Sequence, residues 1–205
     1  MGFLSASVAV TRYAVNGEIA EPFMETVAKG LSANVIQEIN GDPQKRSVGW
    51  APFDKPYTPD FSAASFVVAD TVVFCLRIDK KSLPAGTVKK MYAAEVDRRL
   101  RESGREFLSK DEKKEVKEHV ENVLLLRMPS VPAVYDVLWK YGEQRLYFFS
   151  TQKAAKDELE TLFYKSFGAP LIPLFPFTTA ETSCGLTDAQ IDSLAQAAPS
   201  TFATE

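Results

Sequence analysis

Two amphipathic stretches that follow one another across a short polar junction restrict this chain more than any other feature. From Ala85 onward Val88, Tyr92, Val96 and Leu100 recur four residues apart, and after Lys110 a second apolar set follows in Val116, Val120, Val123 and Leu124. At about 100° per residue each set covers one side of a helix, and Lys90, Arg98, Arg101 and Arg105 fall opposite the first set. Gly104 can take the left-handed conformation that ends a helix, and Ser109 with Glu112 three residues later spells a capping box. Helices so closely linked turn back on one another, so residues 85–126 are expected to form an antiparallel helical hairpin with a buried seam and a cationic outer side.

Charge is distributed to match. The total is −3, yet Arg77 to Lys117 holds 13 of the 24 Lys and Arg and only 8 of the 27 Asp and Glu, a formal +5 against −8 for the remainder. Such asymmetry suits a polyanion, most often nucleic acid; the plain alternative is a solvated charged helix. Phosphates attract Lys and Arg through charge and counterion release without base-specific contacts. The expected DNA-binding residues are therefore Arg77, Lys80, Lys81, Lys89, Lys90, Arg98, Arg101 and Arg105. Glu95 and Arg99, one turn apart at the edge of the apolar stripe, read as a structural pair. No helix-turn-helix pattern offers a reader of base edges.

The flanking segments supply a sheet and its cover. Phe3 to Val15 alternates as a strand, and Ile19 to Ala33 reads as a helix with Pro22 in its first turn and a weakening Gly30. Val35 to Ile39 is a short candidate strand, and Gly49-Trp50 reads as a loop anchored on the core. Phe61 to Ala69 with Val72 to Asp79 forms one hairpin, and Ala133 to Lys140 with Arg145 to Ser150 a second. Thr151 caps a helix carrying Ala155, Leu159, Leu162, Phe163 and Phe167 and ending at Gly168. Leu171 to Phe177 is an edge strand because of its prolines, and Leu186 to Ala197 is a last helix capped by Thr187. The expected fold is α+β, with antiparallel β-hairpins packed against helices and a projecting basic helical hairpin. Its expected regions are 1–84, rich in strands, 85–128 as the basic arm, 129–198 with the second hairpin and its helices, and a flexible tail at 199–205.

Several functional classes recede. A chain of 205 residues, 45% hydrophobic, can bury a sizeable core. Its start lacks the uninterrupted apolar centre of a signal peptide, and its apolar runs fall short of the roughly 20 residues that span a bilayer, so a soluble cytoplasmic protein is expected. Cys75 reads as reduced core and Cys184 as a loop thiol, without the spacing of a metal site. His119, the single histidine, reads as structural, and no cofactor motif is present. One catalytic alternative stands: Pro59-Asp60 followed by Asp79-Lys80-Lys81 has the letters of a magnesium-dependent nuclease. There Asp60 and Asp79 would face each other across the hairpin to share the metal, with Lys81 beside them. A further alternative is an interaction module whose basic arm meets an acidic protein.

Local strings add a resemblance. Gly2-Phe3-Leu4, Arg46-Ser47-Val48-Gly49-Trp50, the hairpin into Leu83-Pro84, Lys89-Lys90, the junction from Gly104 through Ser109 to Lys114, and Arg127 occur in one order. They continue with Tyr135-Asp136-Val137-Leu138-Trp139, Lys153-Ala154 and Pro170-Leu171-Ile172-Pro173-Leu174. In that order they resemble the recombination-associated protein RdgC family over about residues 2–177. The resemblance implies a bacterial, nucleoid-associated, non-enzymatic protein that binds duplex DNA with little sequence preference and restrains the RecA recombinase by occupying DNA. It also implies a ring-shaped homodimer with DNA in a positively lined hole. Longer members of that family continue past the point where this sequence stops, in a region that contributes to ring closure. Where they place an apolar gate, this sequence has Pro129 and Val131.

Overall fold

The computed structural model describes residues 2–62 and 66–197. Among them the chain forms β1 (Thr11–Val15), α1 (Phe23–Ala33), β2 (Arg46–Pro52), β3 (Val67–Val68), β4 (Thr71–Lys80), α2 (Ala85–Ser103), α3 (Lys110–Arg127), β5 (Val131–Lys140), β6 (Arg145–Phe148), α4 (Lys153–Phe167), β7 (Leu171–Pro173), α5 (Pro176–Ser183) and α6 (Asp188–Gln196). The strands make one antiparallel sheet in the order β2-β4-β5-β6-β1-β7, with β3 paired to β4. The fold is α+β.

Two compact units divide the chain. The first comprises residues 1–30, 65–74 and 135–205, and the second comprises 31–64 and 75–134. Strands β4 and β5 each carry the chain from one unit into the other. The expected tail from Pro199 lies outside the described residues, as do residues 63–65 of the expected first hairpin.

In the first unit the second hairpin forms as its alternation dictates. Val137 pairs with Phe148 and Trp139 with Leu146, all four buried, and a single 3₁₀ turn at Tyr141–Glu143 joins β5 to β6. Trp139 sits between the rings of Phe23, Phe163 and Phe167, with centroids 5.0 to 5.3 Å away. Helix α4 buries Ala155, Leu159, Leu162, Phe163 and Phe167 and ends at Gly168 in the left-handed conformation. Gly30 has a packing reason, since a Cβ there would fall against the Phe167 ring and the Ser166 carbonyl.

Three expectations contract, the first being the helix expected from Ile19, which begins at Phe23 with Pro22 just before it. The strand expected from Phe3 begins only at Thr11, while the Phe3 amide donates to Asp136 Oδ2 at 2.6 Å and its ring meets Phe149 edge-on. The strand expected to reach Phe177 ends at Pro173, because Pro176 opens α5 in a first-turn position where its missing N–H costs nothing.

The second unit holds β2, most of β4 and the helical hairpin. The Gly49-Trp50 segment is a strand instead of a loop, with Trp50 fully buried as anchoring required. Val35 bridges Trp50 in parallel, and a Cβ on Gly49 would collide with the Ile36 backbone, so glycine permits that approach. Cys75 is buried with Ile36 and Ala51.

Candidate nucleic-acid interface

The hairpin closes along the seam read from its stripes. Leu108, Val116, Val120 and Leu124 are buried, and Leu83, Val88, Met91, Tyr92, Val96 and Leu100 lie against them. Full burial of an aliphatic side chain stabilises by about 1.5–3 kcal/mol, so this seam holds α2, which has no fully buried residue of its own. Gly104 ends α2 in the left-handed conformation, and Ser109 opens α3 with both capping-box bonds formed, Glu112 N–H to Ser109 Oγ and Ser109 N–H to Glu112 Oε2. The outward side of α2 is thereby fixed toward solvent, with Lys90, Arg98 and Arg101 on it and Arg105 just beyond its end, while Lys89, also exposed, flanks Val88 and Tyr92 and Lys80 ends β4.

The eight expected contact residues separate into three groups. Lys80, Lys89, Lys90 and Arg101 are exposed and make no ion pair among the described residues. Arg98 and Arg105 are exposed but held by acids. Arg98 bonds Glu95 at 2.6 Å and Glu102 at 3.4 Å, and Arg105 bonds Glu112 at 2.6 Å. These partnerships shift titration: the Arg98 hydrogen bond holds Glu95 below its ordinary value, and Arg105, with the Ser109 amide and hydroxyl, brings Glu112 down to about 2. Arg99 bonds Glu95 at 3.3 Å and Glu115 at 3.8 Å, the structural role expected of it.

Arg77 and Lys81 are the correction. Arg77 is 4% exposed, and its guanidinium grips Asp79 through Nε at 2.8 Å and Nη2 at 2.7 Å, reaching Glu38 at 2.8 Å and the Pro56 carbonyl at 3.3 Å. Lys81 is 7% exposed and donates to the carbonyls of Asp42 and Leu125 at 2.7 and 2.8 Å. Neither presents its charge to a phosphate. The reason lies in β4: both of its faces are covered, so Arg77 and Asp79 are buried as fully as Leu76 and Ile78, and Lys81 follows directly after the strand.

The same geometry bears on the nuclease reading. Asp79 is fully buried and its carboxylate receives Arg77 through two bonds, with the Ser130 hydroxyl at 3.5 Å. Asp60 is exposed, and hydrogen bonds from Ser62 lower its pKa. Lys81 points its ammonium at carbonyls, so the acid and lysine of that pattern are occupied as structural groups. Among the described residues no group of three or more His, Cys, Asp or Glu is placed to hold a metal ion. His119 is exposed on α3 and lines a shallow groove with Met91, Glu95, Val120 and Val123.

Lys45 escaped the reading by sequence, and Lys117, counted in the basic stretch, was not named there as a contact. Both line a groove of about 480 Å³ beside the start of α2, together with Lys81, Lys89 and Glu121. Lys45 stands far from the basic stretch in sequence, and only the folded chain joins it to Glu121 of α3 at 3.0 Å. No described helix is long and apolar enough to cross a membrane.

The second unit carries 17 Lys and Arg against 14 Asp and Glu, and the first carries 7 against 13. A family model described as "Putative exonuclease, RdgC" matches residues 10–188 of the 205. No curated protein matches the chain.

Proposed function

This chain belongs to the RdgC family, and from that premise we propose that it binds duplex DNA without sequence preference, as a homo-oligomer, and restrains RecA by occupying DNA. Family membership supports a recombination-related role in general. The observation that carries the finer reading is the set of exposed cations with no ion pair among the described residues, at the β4 end and along α2: Lys80, Lys89, Lys90 and Arg101. Lys90 and Arg101 lie eleven residues apart on one line of the helix, about 16 Å, a span that crosses successive phosphates of one strand. Arg98 and Arg105 can join them only by leaving Glu95 and Glu112, so they add less.

The test is duplex binding measured across a salt series with two unrelated sequences. Four phosphate contacts per subunit give a slope of log K on log salt of about −3.6, equal for both sequences. A flat salt response, or strong preference for one sequence, overturns the reading. Binding sufficient to restrain RecA further requires that inhibition of strand exchange track the fraction of DNA covered.

Occupancy replaces catalysis in this proposal. Asp79 serves Arg77, and stripping it for a metal would leave a buried guanidinium without its main partner. Duplex incubated with magnesium or manganese is expected to stay intact. Cutting that disappears in Asp60→Ala would contradict this.

A further inference from the structure

We propose that the groove at the start of α2, which adjoins the proposed duplex-binding surface and shares Lys89 with it, is a docking site for an acidic peptide segment bearing a large apolar side chain. Leu83, Val88 and Tyr92 form its floor, and Lys45, Lys81, Lys89 and Lys117 stand around it with Glu121 as the lone acid. Glu121 is taken by Lys45 at 3.0 Å, so Lys89 and Lys117 face the groove with no ion pair among the described residues.

Three further features draw an anion with an apolar body. Lys81 lines the wall, nearly buried, and its ammonium donates inward to two neutral carbonyls with no carboxylate in ion-pair reach among the described residues. A buried charge of that kind is costly until an opposite charge approaches. Helix α2 begins in the same wall at Ala85, its N-cap is Pro84, which makes no side-chain cap, and its first turn holds no acid. Its free amides and dipole add positive potential there. The floor, meanwhile, is mostly aliphatic and half-buried, which suits an apolar side chain better than a stacked base. A phosphate backbone would use the lysines and leave the floor empty. A segment with carboxylates on either side of an aromatic or leucine side chain uses both.

The experiment measures fluorescence anisotropy of a fluorescein-labelled peptide, Glu-Asp-Phe-Asp-Leu-Glu, against the full chain, its Lys117→Glu variant, and the same peptide with Phe and Leu replaced by Ser. Lys117 is exposed on α3 and outside the proposed duplex surface, so its reversal leaves the fold and duplex binding intact. The expected result is saturable binding that falls at least tenfold both in Lys117→Glu and with the serine peptide, while duplex affinity changes less than twofold. No binding by the wild-type chain, equal binding of the serine peptide, or equal binding by Lys117→Glu overturns the proposal. So does displacement of the peptide by a 5′-phosphorylated thymidine oligonucleotide that itself loses affinity in Lys117→Glu, which would make the groove a site for nucleic-acid ends. Because duplex affinity is read separately in each variant, failure here is distinguishable from failure of the DNA-binding reading.

Discussion

Arg77 and Asp79 stand two apart on β4, share one side of it, and hold each other in a buried two-bond ion pair. Removing one member leaves the other charged and buried, a loss of about 3–5 kcal/mol. Arg77→Ala should therefore lower the urea midpoint sharply, while Arg77→Met combined with Asp79→Leu should recover much of the loss; equal midpoints for the single and double variants would contradict the pairing. The Arg-x-Asp spacing on a strand was legible, since alternate residues share a face. Composition alone misled, because a cation counted toward a surface patch was serving an interior acid. Glu112 supplies a residue-scale test by pH. Its folded pKa of about 2 lies below its ordinary 4.5, so what it contributes is fully present above pH 4.5 and is lost as pH falls toward 2. Carboxyl titration by NMR should place its midpoint near 2 and show it rising in Arg105→Ala; an unchanged midpoint in that variant would remove Arg105 as the cause.

At the scale of elements, the helical hairpin is the part whose local signals agree. Its stripes, its terminal glycine and its capping box each specify the same boundaries, and the fold honours all three. Ser109→Ala should cost about 1 kcal/mol through the lost cap. Leu124→Ala, in the buried seam, should cost about 2–5 kcal/mol. Thermal denaturation reads both, and a seam variant milder than the cap variant would show that the stripe does not hold the hairpin. Strand ends were less legible. Phe3 to Val10 alternates convincingly, but from residue 2 to residue 10 the chain forms no ladder, and alternation cannot reveal a missing partner. Pro176 was read as the mark of an edge strand when it starts a helix, since the same fixed φ serves both. Gly49 was read as part of a core-anchored loop yet acts by admitting the Ile36 backbone, a relation between segments that no local pattern encodes.

For the whole molecule, the charge asymmetry visible along the sequence survives folding but is thinned. The second unit keeps its excess of Lys and Arg, while Arg77 and Lys81 go inside and Arg98 and Arg105 meet acids. What remains for a phosphate strand is Lys80, Lys89, Lys90 and Arg101, half the number counted from sequence. The most direct measurement compares duplex affinity of the wild-type chain with that of Lys89→Glu/Lys90→Glu/Arg101→Glu across a salt series. Losing three contacts should weaken binding by at least tenfold at moderate salt and flatten the slope of log K on log salt by about 2.7. Affinity and slope unchanged in the triple variant would contradict the account.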